Sequence, residues 1–274
     1  MKKEFIETEL FDTETNLEHY NSICNKILDY IMSFNSDNPL IQQNYNLKRE
    51  HTNRVVGYSE VIARSLKLEK EDEMIVQLIA LLHDIGRFEQ MSQYETFNDS
   101  ESRDHAELGV EIIKEKKWIS HLPDYIQDYI ISAISNHNKL DMLKNENEKV
   151  SLFSKIIRDA DKIDILDLTI KEYSKPAKNR NEKLTLGLAD KPHISKSVVK
   201  SVVNGKPADK KQLKTVNDFK LMQISWVYDV NYKKSFSIIN KMQFLKQLFD
   251  SLPKTDDVFE AYRKAKIHIE NQLI

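Results

Sequence analysis

Apolar residues return every three or four positions along much of this chain, and that period decides its fold class. Leu17, Tyr20, Ile23, Ile27, Ile31 and Phe34 mark one such stripe, which predicts a helix that stops near Ser36-Asp37-Asn38-Pro39. Tight turns and short strands consume glycine and proline, yet these number only 5 and 6 among 274 residues. The expected class is therefore all-α. A second helix is predicted over about residues 46–67, and a third with Asp72 as its N-cap, carrying the almost wholly apolar run Met74 to Leu82. A polar loop is expected over about 89–102, then a helix capped by Ser102 that runs through Ala106, Val110, Ile112 and Ile113. Pro123 is expected to start a helix ending near Asn136-His137-Asn138. After the charged segment Lys144–Lys149, another helix spans Ser151 to about Tyr173. Residues 174–193 read as a loop or lid, and helical patterns resume from about Ile194 and again from Asp218 to the end.

Charge and cysteine content narrow the environment. With 41 basic against 43 acidic residues, the chain has no global field that would recruit nucleic acid or an anionic membrane. Any anionic ligand must therefore be held locally. The N-terminal stretch MKKEFIETELFDTETN lacks the apolar run of a signal peptide, and no stretch approaches the roughly 20 apolar residues of a membrane span. The single cysteine, Cys24, excludes an internal disulfide, and its place on an apolar helix face suggests a thiol in a reducing compartment. A cytoplasmic location is expected.

The chemistry-bearing residues fall where helical structure turns them inward. His51 shares the stripe of Val55, Tyr58 and Ile62, and His83 and Asp84 close the apolar third helix. Ionisable groups beside Leu81, Leu82 and Ile85 cost on the order of several kcal/mol if left alone, so they require partners or a metal. His105 precedes the Val110 face, His137 stands at a helix end, and Asp159 and Asp161 sit inside the run KIIRDADKIDIL. Several helices thus each offer a ligand to one centre. His105 and His137 can instead cap a helix or contact substrate. His19, His121, His193 and His268 have no such context.

The run Leu81-Leu82-His83-Asp84-Ile85-Gly86-Arg87, preceded by His51 and followed by Asp161 in RDADKIDIL, resembles the HD superfamily of metal-dependent phosphohydrolases. The resemblance covers about residues 46–170 and implies that His51, His83, Asp84 and Asp161 bind one metal. DHAELGVEII around His105 resembles the element of those HD proteins that hold a second metal, and His137 in ISNHNKL fills the place of the further histidine. The implied centre is dinuclear, with Asp84 bridging and with His105 and His137 on the second ion. Imidazole and carboxylate ligands suit Fe, Mn or a similar divalent transition ion. The implied organisation is an HD-domain helical bundle at 46–173, an N-terminal helical segment at 1–45, and additional C-terminal helices at 174–274 that serve as lid, packing or oligomer contact within one compact unit.

The implied activity is hydrolysis of a phosphate ester, of a nucleotide or similar small molecule, by a metal-activated water. Asp84 and Arg87 are the expected catalytic residues. Arg87 can reach a phosphate as a forked donor or form a salt bridge with Glu89 or Glu95. Asp159 can orient a ligating histidine or pair with Arg158 or Lys162, and Lys139 is a second phosphate candidate or a solvated loop lysine. Arg87 stands where the cyclic-dinucleotide phosphodiesterases carry lysine, Asn136-His137-Asn138 replaces their His-His-Glu, and no GYP follows, which argues against cyclic di-GMP. The HDxxED element of the alarmone hydrolases and the histidine-rich string of the deoxynucleotide triphosphohydrolases are missing too. The competing class is a metal-containing nucleotide-sensing or regulatory HD protein with little turnover. Trp226, Tyr228, Tyr232 and Phe236 form a mixed stripe suited to packing or to a homodimer contact.

Overall fold

A computed structural model describes residues 14–142 and 147–274. Most of the N-terminal stretch and much of the charged segment near Lys144 lie outside the described residues. Within them the fold is all-α and contains no strand, with Ala189 and Thr215 joined in a lone bridge. Helices α1 (Glu14–Ser33), α2 (Pro39–Ser65), α3 (Lys70–Leu82), α4 (Gly86–Tyr94), α5 (His105–Lys116), α6 (Asp124–Asn136) and α7 (Glu148–Tyr173) build the first part. The second part consists of α8 (Lys196–Val203), α9 (Val216–Ser225), α10 (Lys233–Lys241), α11 (Phe244–Asp250) and α12 (Asp256–Leu273).

Local chemistry moves several helix starts away from where the sequence pattern set them. Asn38 caps α2 and Pro39 opens it, so the cluster expected to separate two helices begins the second. Asp72 is not an N-cap. The helix starts after Glu69, because the acidic run Glu69 to Glu73 favours a helix N-terminus, and Asp72 instead pairs with Lys149. The predicted loop over 89–102 is helical in its first part. Ile85, Phe88 and Met91 recur at three-residue spacing and are buried, and α4 ends only at Glu95, which takes left-handed dihedrals. Asp104, not Ser102, caps α5, accepting from the backbone of Ala106 at 2.9 Å and Glu107 at 3.2 Å. Asn147 caps α7 one turn before the expected start.

Long α7 is the axis of the molecule. It packs on α2, α3 and α6 along one side and on α10 and α11 along another. The buried apolar residues of both parts form one continuous cluster, from Ile23 on α1 through Ile157 on α7 to Ile269 on α12. Helix α9 is buried on every face and anchors the second part; a capping box between Thr215 and Asp218 fixes its start. The four aromatic residues of the C-terminal stripe are used within the chain, with Phe236 fully buried and Trp226, Tyr228 and Tyr232 packed against the core. The segment 174–193 is irregular, as its composition predicts, apart from a short 3₁₀ turn.

Candidate metal centre

Two helix ends aim His83 and His137 at the centre. His83 and His137 each follow the last residue of a helix, and each folds its Nδ1 back onto the carbonyl three residues earlier: Ala80 O at 2.8 Å and Ile134 O at 2.6 Å. Those carbonyls belong to the last turn, beyond the regular helical ladder, and Ile134 O also accepts from His137 N at 3.3 Å. The α3–α4 connection stays tight because Gly86 has no side chain. A Cβ there would lie 2.2 Å from the His105 carbonyl and 2.7 Å from the Gly109 nitrogen, so only glycine lets α4 lie directly on α5 and brings Asp84 beside His105.

The α2–α7 interface supplies the other half. His51 and Arg54 lie one turn apart on α2, and Asp161 and Asp164 one turn apart on α7. His51 Nε2 approaches Asp161 Oδ1 at 3.2 Å, while its Nδ1 meets Asp164 Oδ2 at 2.7 Å. Arg54 holds Asp164 with a forked contact, Nε to Oδ1 at 2.6 Å and Nη2 to Oδ2 at 3.1 Å.

The ligand atoms form two groups, His51, His83 and Asp161 in one and Asp84, His105 and His137 in the other. Asp84 faces both. Its Oδ2 is 3.3 Å from His51 Nε2 and 3.7 Å from His83 Nε2; its Oδ1 is 3.3 Å from His105 Nε2 and 3.9 Å from His137 Nε2. Every one of the six side chains is buried apart from Asp161, which opens toward a cavity.

The hydrogen positions decide what this arrangement is for. A carbonyl can only accept, so His137 carries its proton on Nδ1; the Asp99 carboxylate, 3.0 Å from His105 Nδ1, fixes the same tautomer there. Burial lowers both pKa values, that of His137 to about 3, which keeps both rings neutral. Their Nε2 lone pairs then face one another at 3.0 Å with no hydrogen to share. That geometry is repulsive until a cation lies between them, and the donor set fits a divalent metal, with an oxygen already in place on the far nitrogen of each ring. His51 shows the opposite response. Burial and Lys48 pull its pKa down, but hydrogen bonds to Asp161, Asp164 and Asp84 outweigh them and push it up to about 10. Surrounded by carboxylates, His51 holds a proton where the group lacks other positive charge.

The whole ligand set from His51 to Asp161 lies inside residues 49–166, which match the family model of the HD domain. These residues form an HD domain. HD domains bind divalent metals and are generally hydrolases, within a superfamily of metal-dependent phosphohydrolases. Searches of curated proteins and of solved structures gave no match. Among the described residues no helix is long and apolar enough to cross a membrane.

Other expected site residues have specific neighbours. Arg87 Nη1 donates to Gln90 Oε1 at 2.7 Å, Phe97 O at 2.7 Å and Asp99 Oδ1 at 2.8 Å, and its Nε stands 3.5 Å from Asp84 Oδ1. Its acidic partners are thus Asp99 and Asp84, not Glu89 or Glu95. Asp159 turns away from the histidines and accepts from the backbone of Asn231 and Tyr232, each at 3.1 Å, tying α7 to the second part. Lys139 pairs with Asp104 at 2.7 Å. Sequence reasoning missed Lys48, whose Nζ lies 2.5 Å from Asp84 Oδ2, although it sits one turn before His51 on the same helix face. Asp99 and Asp164, which hold His105 and His51 by Nδ1, were missed as well. Asp164 was within reach of the pattern, one turn beyond Asp161; Asp99 lies in an irregular segment and had no periodic signal.

Proposed function

We propose that this HD-domain protein is a phosphohydrolase that cleaves a phosphate ester of a nucleotide or similar small molecule at a two-ion centre. The observation that carries the reading is Asp84, whose two oxygens face the two ligand groups separately. His51, His83, Asp84 and Asp161 would hold one ion; Asp84, His105 and His137 would hold the other. Bound divalent ions of the Fe or Mn kind would supply Lewis acidity and an activated water for attack at phosphorus.

The protein's own groups prepare the site. Asp164 and Asp99 fix the ring orientation of His51 and His105, and the Ala80 and Ile134 carbonyls do so for His83 and His137. Lys48 and Arg87 flank Asp84, one beside each oxygen, and hold it ionised; despite burial its pKa is well below the carboxylate range. Arg87 acts in this reading mainly through Asp99 and Asp84. A cavity of about 710 Å³ opens over His137 and Asp161, in the size range of small-molecule sites. It is built within one chain, so the reading does not require a second copy. With its single cysteine, balanced charge and no candidate span among the described residues, a cytoplasmic enzyme is the setting that fits.

The direct test is phosphate release by metal-loaded protein across nucleoside monophosphates, cyclic dinucleotides and model esters, with Asp84→Ala in parallel. The expected result is turnover on at least one ester and a loss on the order of 10³-fold or more in the variant, because several kcal/mol of charge stabilisation depend on the ions it joins. Wild-type turnover in Asp84→Ala would show that the chemistry lies elsewhere. No turnover on any ester by fully loaded protein would favour a sensing role.

A further inference from the structure

The cavity over the centre has two walls. One belongs to the HD segment; the other, including Leu186, Lys210, Met222 and Trp226, comes from the second part, outside the matched family segment. The cations that line it differ in how fully they are already neutralised. Lys139 pairs with Asp104 at 2.7 Å, while Arg158 and Lys162 share Asp229 at 2.5 Å and 2.7 Å. Arg158 also donates to the carbonyls of Asn136, His137 and Lys139, so its charge is used to hold the end of α6. Lys210 is different. Among the described residues its ammonium has no hydrogen bond and no carboxylate within ion-pair distance, and, like Lys211 beside it, Lys210 is exposed.

Lys210 opens the 3₁₀ turn Lys210–Gln212, which Asp209 caps by accepting from the Lys211 backbone at 2.9 Å. It is exposed and lines the cavity, and the protein atoms around that cavity pull its pKa below the ordinary lysine range. The charges it feels are Asp99, Arg87, Asp104 and Glu101, the groups around His105. An unpaired ammonium thus stands over the histidine side of the centre, with apolar Leu186, Met222 and Trp226 in the same wall. With no carboxylate partner to neutralise it, the ammonium is available to make a charged hydrogen bond to an anion in the cavity.

We propose that Lys210 is a substrate-binding residue: it contacts the phosphate of an organic phosphate whose apolar part packs against Met222 and Trp226. This deepens the phosphohydrolase reading and rests on it for the identity of the anion. The assignment makes the second part of the chain a component of the site, supplying recognition where the HD segment supplies the ligands.

The test uses orthophosphate titrated into metal-loaded full-length protein by calorimetry, for wild type, Lys210→Met and Lys210→Arg. Wild type binds, Lys210→Met binds at least about tenfold more weakly, and Lys210→Arg stays within about threefold, since charged hydrogen bonds to phosphate are worth that much. Metal content and melting temperature stay unchanged in both variants. Equal affinity in wild type and Lys210→Met, no binding by wild type, or a loss of binding that comes with lost metal or a lowered melting temperature would each overturn the assignment. Lys210-dependent phosphate binding in a protein that hydrolyses no ester would defeat the hydrolase reading and leave this one standing. Turnover with a KM indifferent to Lys210 would do the reverse.

Discussion

The two ligand groups of the centre share Asp84 but are built from opposite electrostatics. Around His51, His83 and Asp161 the protein gathers carboxylates: Asp161 and Asp164 both touch His51, and Asp84 Oδ2 is 3.3 Å away. Around His105 and His137 it gathers neutral rings, with Asp99 on His105 Nδ1 and Asp84 Oδ1 facing both Nε2 atoms, so fewer carboxylates reach this group and burial decides its protonation. The first group attracts any positive charge, a proton included. The second offers lone pairs that only a cation can use together. On the two-ion proposal the difference predicts two like ions held with unlike tenacity, the tighter one in the carboxylate-rich half.

The largest break in that comparison comes from removing a ligand on one side. Asp161→Ala should empty the His51 group and leave the His105 group able to bind, whereas Asp99→Asn, which only loosens His105, should weaken the second ion by about 10- to 100-fold. Metal content after stepwise dialysis against a weak chelator would show it. In wild type one ion should leave before the other, and Asp99→Asn should hasten the departure of the first to go. Loss of both ions together in wild type and in both variants would mean that the groups act as one site.

Proton release sharpens the same contrast. His51 carries a raised pKa of about 10, so at neutral pH an ion entering its group must displace a proton. His137, lowered to about 3, is already deprotonated at neutral pH, and the ion entering its group displaces none. Calorimetric titrations in buffers of different ionisation heat should therefore report about one proton released for the tighter ion and about zero for the weaker. The sign follows from the directions. Affinity of the His51 group should fall as pH drops below about 10, while that of the His105 group should hold across neutral pH.

Arg87 sits between the halves and tests which of them it serves. Its contacts run to Asp99, which orients His105, and to Asp84 Oδ1, which faces the same ligand group. Arg87→Lys keeps the charge but cannot make the three Nη1 contacts, so the weaker ion should bind several-fold less well while the tighter one is unaffected. If instead metal content is unchanged and KM rises, Arg87 contacts the substrate phosphate directly.

How much of this was legible in sequence follows from what periodicity can carry. The candidate ligands on helices or at helix ends were readable because an ionisable residue inside an apolar stripe is costly unless it is paired or bound to a metal, and the order of His51, His83-Asp84 and Asp161 is specific. The α-helical class was readable from the same stripes. The oxygens that fix the histidine rings were not, since the Ala80 and Ile134 carbonyls have no side-chain signature and Asp99 reaches His105 from an irregular turn. The starts of α2, α5 and α7 shifted to where Asn38, Asp104 and Asn147 supply side-chain caps. Asp104 lay two residues past Ser102, and only its three-dimensional link to Lys139 and Asn138 separates them. The cavity wall was least legible, because Lys210, Met222 and Trp226 meet the centre through tertiary packing alone.

Asp104 gives the smallest expected effect and the finest test of how the second half is held. Its side chain caps α5 just before His105, and the same carboxylate accepts from Lys139 and Asn138 beside His137, so one group fastens both histidines of the second ligand group. Burial raises its pKa, but Lys139, the Glu107 backbone and Asn138 outweigh it and bring it down to about 2. A depressed folded pKa means that the stabilisation is complete above the unfolded carboxyl value, here 3.8, and is lost as pH falls toward about 2. Asparagine is as good a cap as aspartate but cannot pair with an ammonium, so Asp104→Asn should cost little at the helix start and remove the acid dependence from this residue. Asp104→Ala removes the cap as well and should cost about 1 kcal/mol more. Melting temperatures of the three proteins at pH 7 and pH 3 would separate the contributions. Asp104→Asn should approach wild type at the lower pH, where the wild-type carboxyl begins to protonate, and Asp104→Ala should stay below both. A wild-type and Asp104→Asn difference that does not shrink with acid would place the stabilisation in the capping geometry and not in the charge that joins α5 to the end of α6.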